Sequence, residues 1–275
     1  MSHPFQFLLL LDVDQPIDEQ AVASCLPDRR RDRRCLRLTE MGVERPATSL
    51  RDQLDWAQIS SALATLREKL RASWPESGNV EVFVAGFAPL SVFFAVGAIL
   101  DTRVARVTCL QPLRHQSNEW TTLELSAGTG PDVLSTSGAS GEPAESTGHV
   151  GVYLSTLGIA TPKEQMRAAI QAQGHEVAGI AALFTPSRLT LDAANIGEVL
   201  RDLERDLVTL TATYPHRTGV SIFLAGPGCF ALAAGLVLNP NQFLGEGRFV
   251  DLTEFAGGVY HHSLRLPLAD VRSTD

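Results

Sequence analysis

Paired cysteine motifs are missing from this sequence: Cys25, Cys35, Cys109 and Cys229 stand apart, with no C-x-x-C among them. That spacing gives neither a zinc ribbon nor a disulfide framework, and it predicts free thiols in a reducing cytoplasm. Long apolar runs are missing too. No stretch approaches the roughly 20 apolar residues that span a bilayer. Residues 5–11 are apolar but interrupted by Gln6, and they lead straight into Asp12-Val13-Asp14. They lack the basic n-region and small-residue cleavage site of a signal peptide, so a buried strand is the better account. Positive charge is in deficit: 23 Lys and Arg against 31 Asp and Glu leave a formal charge of −8. Non-specific binding to long nucleic acid or to an anionic membrane needs a positive field and is disfavoured. A small anion, held by one local site, is not. Finally, G-x-x-x-x-G-K-[ST], G-x-G-x-x-G after a first strand, G-x-S-x-G, H-E-x-x-H and paired Cys/His ligand motifs are all absent. No cofactor, metal or catalytic residue is therefore predicted, and an enzyme reading is weakened.

What the 275 residues do contain is a repeat. At a shift of 140, residues 56–86 match residues 196–226 without a gap. The identities are Leu63/Leu203, Leu70/Leu210, Ala72/Ala212, Pro75/Pro215, Val80/Val220, Phe83/Phe223, Ala85/Ala225 and Gly86/Gly226. Apolar rhythm alone does not reproduce the aromatic-Pro punctuation and the shared Phe-x-Ala-Gly ending, so the chain reads as a duplication. Trp56, Ile59, Leu63, Leu66 and Leu70 fall at the spacing of an amphipathic helix, as do Ile196, Val199, Leu203, Leu207 and Leu210. Each helix is closed by an aromatic residue and Pro.

The strands 80–85 and 220–225 are almost wholly apolar, as parallel strands covered on both faces are. Each is followed by an apolar helix (90–100 and 230–238) and a further strand (104–110 and 248–252). Upstream, 7–13 and 150–155 read as first strands, and 35–39 and 179–185 as second strands. Last come 120–125 and 260–266. Alternating strands and helices predict an α/β fold of two Rossmann-like halves, residues 1–125 and 149–275, with mainly parallel sheets. Residues 126–148 are rich in Gly, Ser and Thr and read as a flexible linker. The run Arg29-Arg30-Arg31-Asp32-Arg33-Arg34 reads as solvated surface, with a patch for nucleic acid or a partner as the alternative.

Ligands of open parallel sheets bind outside the carboxyl ends of the strands. That rule selects Phe87 and Pro89 after one repeated strand, and Gly226-Pro227-Gly228-Cys229 after the other. It also selects Ser155 and Thr156, Thr185 and Arg188, Arg114, and Phe255. Gly226-Pro227-Gly228 at the mouth of an apolar helix suits a phosphate, because backbone N–H groups and the helix dipole both favour an anion there. Arg114, Arg188 and Lys163 are the candidate cations, and Phe87, Phe230 and Phe255 the candidate stacking platforms for bases. His261 and His262 point to opposite faces of a strand and do not share an ion.

The doubled unit resembles the SAVED domain. The resemblance is carried by strand 80–86, the turn Phe87-Ala88-Pro89 and the helix Leu90-Ser-Val-Phe-Phe-Ala-Val-Gly97. Its second copy is Phe223-Leu-Ala-Gly-Pro-Gly-Cys-Phe-Ala-Leu-Ala-Ala-Gly235. The resemblance implies a CARF-like pair of halves that senses a cyclic tri- or tetranucleotide in antiphage defence, in a CBASS or type III CRISPR system. It further implies head-to-tail oligomerisation on ligand binding and activation of an effector. SAVED domains are usually fused to their effector, and the chain has no room for one. The expectation is therefore an effector supplied in trans or an excised sensor module. A ring nuclease using His115, His261 or His262, and a structural adaptor without ligand, remain as alternatives.

Overall fold

The structure, a computed structural model, describes residues 5–26, 33–46, 54–75, 80–100, 105–112, 119–137, 147–238 and 249–267. Two sheets form, one from each half of the chain. The first has the order β2-β1-β3-β4-β5: β1 is Phe5–Leu11, β2 Arg34–Arg37, β3 Val80–Gly86, β4 Ala105–Pro112 and β5 Trp120–Leu125. The second has the order β11-β10-β9-β7-β8-β6: β6 is Ser135–Ser137, β7 Gly148–Ser155, β8 Val177–Phe184, β9 Arg217–Ala225, β10 Phe249–Ala256 and β11 Val259–Leu266. Within each sheet the central strands are parallel, while β5 runs antiparallel to β4 and β11 to β10. Apart from β6, the two sheets have the same topology, as a duplication requires.

The helices explain the two-sided burial of the strands. α2 (Trp56–Ser73) and α5 (Ile196–Thr213) lie 140 residues apart at both ends. Ile59, Leu63, Leu66 and Leu70 of α2 are buried, as are Ile196, Val199, Leu203 and Leu207 of α5. The Asp55 carboxylate caps α2, accepting from the Ala57 and Gln58 N–H groups at 3.0 Å. α3 (Leu90–Ile99) and α6 (Gly228–Val237) are apolar on all sides, and helices of that kind bury themselves completely. One continuous core joins Phe7, Leu9, Val82 and Val84 of the first sheet to Val152, Ile222 and Leu252 of the second, through α2, α3, α5 and α6. Smaller clusters cover the outer faces, one under α1 (Glu19–Ser24) and one under α4 (Lys163–Ala172).

α3 and α6 meet at a pair of glycines. A Cβ on Gly97 would lie 2.8 Å from the Leu236 nitrogen and inside the contact radius of the Leu232 carbonyl oxygen. A Cβ on Gly235 would lie 3.0 Å from the Ala98 nitrogen and equally inside the Phe94 carbonyl. At an offset of 138, Gly97 answers to Gly235, Phe94 to Leu232 and Ala98 to Leu236. The same contact is therefore made twice with the partners exchanged, which is the mark of a two-fold relation. The halves are related by a pseudo-two-fold axis through this crossing.

The segment expected to be a linker differs in its described part. Val133 and Leu134 donate N–H bonds to Asp202 Oδ2 on α5, at 2.7 and 3.0 Å, and Gly130 N–H donates to Glu198 Oε1 at 3.1 Å. Arg201 returns to the Gly130 carbonyl and to Asp132. β6 then pairs antiparallel with β8. The polar composition misled because the ordering comes from carboxylates on α5, not from apolar residues in the segment itself.

Candidate functional site

In each sheet the chain leaves the first strand toward one side and reaches the third on the other. The switch in strand order lies between β1 and β3, and between β7 and β9. Ligands of open α/β sheets bind at the carboxyl ends of strands flanking such a switch. At the first switch the Phe87 N–H donates to the Leu11 carbonyl at 3.0 Å, and the Asp14 N–H to the Phe87 carbonyl at 2.7 Å. At the second, the Thr156 N–H donates to the Ala225 carbonyl at 3.0 Å and the Thr185 N–H to Ser155 at 3.1 Å. Leu189 N–H closes on the Thr156 carbonyl at 2.9 Å, and Leu157 bridges to Arg188.

One phenyl ring joins the two edges. Phe93 fills the space that a side chain at Gly86 would need, with Cζ 2.7 Å from a Cβ there. It also stands 2.7 Å from a Cβ at Gly228. The loops after the two copies of the repeated strand therefore converge on opposite sides of one ring, near the pseudo-two-fold axis.

At the α6 side the helix begins at Gly228, and its N-cap Pro227 provides no side-chain cap. Beside it stands Thr156, fully buried, with Oγ1 2.7 Å from where a Cβ on Gly226 would sit. The hydroxyls of Thr156 and Thr185 have no hydrogen-bond partner among the described residues. A buried unpaired hydroxyl costs about 1–3 kcal/mol. A helix start without a side-chain cap and two hydroxyls unpaired among the described residues form a polar set suited to an anionic, hydrogen-bonding ligand.

The other sequence candidates divide. Ser155 is buried, and its Oγ accepts from the Leu157 N–H at 3.2 Å. Cys229 is fully buried beside the Gln111 amide, and burial pushes its thiol up to about 12, so it offers backbone only. Pro89 is buried, and its carbonyl accepts from the Val92 N–H. Phe87 is half-buried against Trp120, with centroids 5.4 Å apart. Phe255 is exposed on the β10–β11 hairpin, against Tyr260 at 5.0 Å. Phe230 is wholly core, which removes it as a stacking platform. Arg188 is exposed, and Lys163 opens α4. Arg114 and His115 lie outside the described residues, as do Arg29–Asp32 of the basic run.

Two polar clusters were not anticipated. Asp12, fully buried at the exit of β1, is held by Arg45 at 2.7 Å, Arg37 at 3.5 Å and the Thr39 hydroxyl at 2.8 Å. That network places the exposed Arg45 at the first switch. In the amino-terminal half of the second sheet, His149 and His175 stack with centroids 3.7 Å apart and planes 10° apart. Asp251 Oδ2 lies 3.8 Å from His149 Nδ1 and 3.5 Å from His175 Nε2, while Asp251 also takes His262 and a bidentate Arg265. The three ligand atoms are close enough for a metal. Nearly parallel ring planes, however, give their in-plane lone pairs no common point, so an ion needs one ring to turn. Burial, then the neighbouring His175, lowers the His149 pKa to about 4.

Among the described residues no helix is long and apolar enough to cross a membrane. No curated protein matches the chain. Among solved structures it is similar to the Acinetobacter baumannii Cap4 SAVED/CARF-domain containing receptor with the cyclic trinucleotide 3'3'3'-cAAA. There the TM-score is 0.61 at 12% identity, over 96% of this chain and 51% of that one. The same receptor with 2'3'3'-cAAA gives 0.59 at 13% identity, over 96% and 51%. The Moraxella osloensis Cap4 receptor gives 0.55 at 12%, over 96% and 50%. The chain thus spans about half the length of these receptors, and the likeness is one of fold. The family profile described as "SMODS-associated and fused to various effectors sensor domain" matches residues 76–245, more than half of the chain. The protein belongs to the SAVED family of sensor domains.

Proposed function

We propose that this chain is the receptor module for a cyclic oligonucleotide in a CBASS-type or related antiphage system, and that it binds its ligand without cleaving it. The observation that carries this reading is the convergence of the two switch-point loops on Phe93. With it come the uncapped start of α6 and the unpaired hydroxyls of Thr156 and Thr185. A phosphate at Gly226–Cys229 meets backbone N–H groups and the positive end of the α6 dipole. Ser155, Thr156 and Thr185 face the sugar or base edges, and Phe87 and Phe255 supply the ring faces on this reading. Arg114 and Arg188 add charge, and the ligand bridges neighbouring copies head to tail to recruit an effector in trans. The Acinetobacter baumannii Cap4 receptor was solved with cyclic trinucleotides, which supports a ring of three nucleotides over larger ones.

Among the described residues, His149, His175 and His262 gather around Asp251, away from the switch-point loops. The test is calorimetry with 3'3'3'-cAAA and cyclic tetra-adenylate, followed by mass spectrometry of the recovered ligand and light scattering of the complex. Intact ligand bound at micromolar affinity or better supports the receptor reading, and growth in mass supports ligand-driven assembly. Linear products establish a ring nuclease instead, and absence of binding to both rings leaves an adaptor.

A further inference from the structure

The pseudo-two-fold relation breaks at one pair of positions. On β3 and β4, Val84 stands beside Cys109; on β9 and β10, Phe223 stands beside Thr253, and Leu224 and Glu254 are the next residues of the two strands. Val84 and Leu224 are equivalent in the repeat, so Cys109 and Glu254 occupy the same place in the two halves. At the helix starts the offset of 138 makes Ser91 the counterpart of Cys229. Each position reaches across the axis to the opposite helix. Glu254 Oε1 accepts the Ser91 N–H at 2.6 Å, in a buried bond between the halves, and the Ser91 and Ser263 hydroxyls lie 2.7 Å apart. On the other side, burial first and then the neighbouring Cys229 raise the Cys109 thiol, and burial raises that of Cys229, leaving both neutral.

We propose that Glu254 is a built-in anion that occupies the phosphate position at the start of α3, so that the pocket presents one open helix terminus, that of α6. Resting on the receptor reading above, this makes Glu254 the residue that sets ligand orientation: phosphate seats at Gly226–Gly228, and the α3 side is left for base and sugar. A carboxylate bound to the second N–H of a ten-residue helix stands where a phosphate oxygen otherwise would. Across the axis the start of α6 has no side-chain cap, and the buried Thr156 hydroxyl beside it has no partner among the described residues.

The experiment has two arms. The first needs no nucleotide: Glu254→Ala and the wild-type chain are melted with increasing sodium formate or sodium sulfate, against sodium chloride at equal ionic strength. The variant is expected to gain several degrees from formate and sulfate that the wild type does not, because the small anion refills the α3 terminus. Should the variant be unfolded in chloride, recovery of its circular dichroism in formate carries the same meaning. A response no larger than the wild type's, or no recovery, overturns the proposal. The second arm titrates Glu254→Gln with 3'3'3'-cAAA. Removing a negative charge beside a polyanion is expected to tighten binding about tenfold and to steepen its salt dependence. Unchanged or weaker binding by a folded variant overturns the assignment of ligand orientation. If neither protein binds any ring, the receptor reading fails, and the anion arm alone decides the role of Glu254.

Discussion

The crossing of α3 and α6 yields a prediction whose sign depends on backbone geometry. Gly235→Ala places a Cβ 2.8 Å from the Phe94 carbonyl carbon and 3.0 Å from the Ala98 nitrogen, and Gly97→Ala meets Leu232 and Leu236 in the same way. These neighbours are backbone atoms of a buried helix and cannot swing aside, so the helices must separate. Overpacking of this kind costs about 3 kcal/mol at the upper end of its ordinary range. Replacing glycine by alanine inside a helix returns about 1 kcal/mol of propensity. Each single variant is therefore expected to lose about 2 kcal/mol. The double variant should not lose twice that. Once the helices have moved for one methyl group, the second enters the same widened gap, so the pair is expected to lose less than the sum by about 3 kcal/mol. Urea denaturation followed by circular dichroism measures all four proteins. Additive losses, or a gain in stability from either alanine, would show that the crossing is looser than the structure has it, and the two-fold contact would lose its meaning.

Gly226→Val puts a branched side chain against Thr156 Oγ1 and the Phe230 ring, and should weaken 3'3'3'-cAAA binding at least tenfold in calorimetry while the circular dichroism spectrum stays native. Asp202→Ala strips the Val133 and Leu134 N–H groups of their acceptor and is expected to cost about 2–4 kcal/mol. Limited proteolysis should then cut within residues 126–148 faster than in the wild type. His149, neutral when folded with a pKa lowered to about 4, binds its proton more readily once unfolded. Its contribution is complete above pH of about 6.5, is lost as pH falls toward 4, and amounts to at most about 3 kcal/mol. A melting series from pH 7 to about 4 should fall steeply for the wild type and less for His149→Gln. Equal slopes would place the acid sensitivity elsewhere.

Much of the frame could be read in advance because its signals are local and repeated. The three/four spacing in α2 and α5, the unbroken apolar runs of β3 and β9, and the shared Phe-x-Ala-Gly ending each report burial directly. The missed elements lack such a signal. α1 buries only Val22, α4 turns a narrow stripe of Met166, Ala169 and Ile170 inward, and β6 is a Ser-Thr-Ser triplet placed by the open edge of β8. For the candidate site, the carboxyl-edge rule selects Thr156, Thr185 and the Gly226 loop, while burial takes Phe230 and the Cys229 side chain out of reach. Glu254 and Ser91 lie 163 residues apart, and the His149, His175 and Asp251 cluster is drawn from three separate segments. Such meetings are products of topology, and no periodicity announces them.

The divergence of the two halves has a reason in the symmetry of the proposed ligand. A ring of three nucleotides joined head to tail has no two-fold axis, since reversing it also reverses the direction of its sugar-phosphate chain. A duplicated pocket that kept both halves alike would offer such a ring two equivalent poses, and a phosphate group well placed at one helix start would have no partner at the other. The structure keeps identity where it serves the scaffold, in the α2/α5 pair and the Gly97/Gly235 crossing, and abandons it where the loops converge. There Gly-Phe-Ala-Pro faces Gly-Pro-Gly-Cys, and Glu254 with Ser91 faces Cys109 with Cys229. A carboxylate at one helix start and neutral thiols at the other turn two equivalent poses into two of unequal energy. The magnitude expected for one charge at a partly buried helix start, up to about 2 kcal/mol, is a preference of roughly thirtyfold for a single pose. On the proposed reading, a receptor built from a duplication gains a unique bound geometry through a handful of side chains, without altering the fold that carries them.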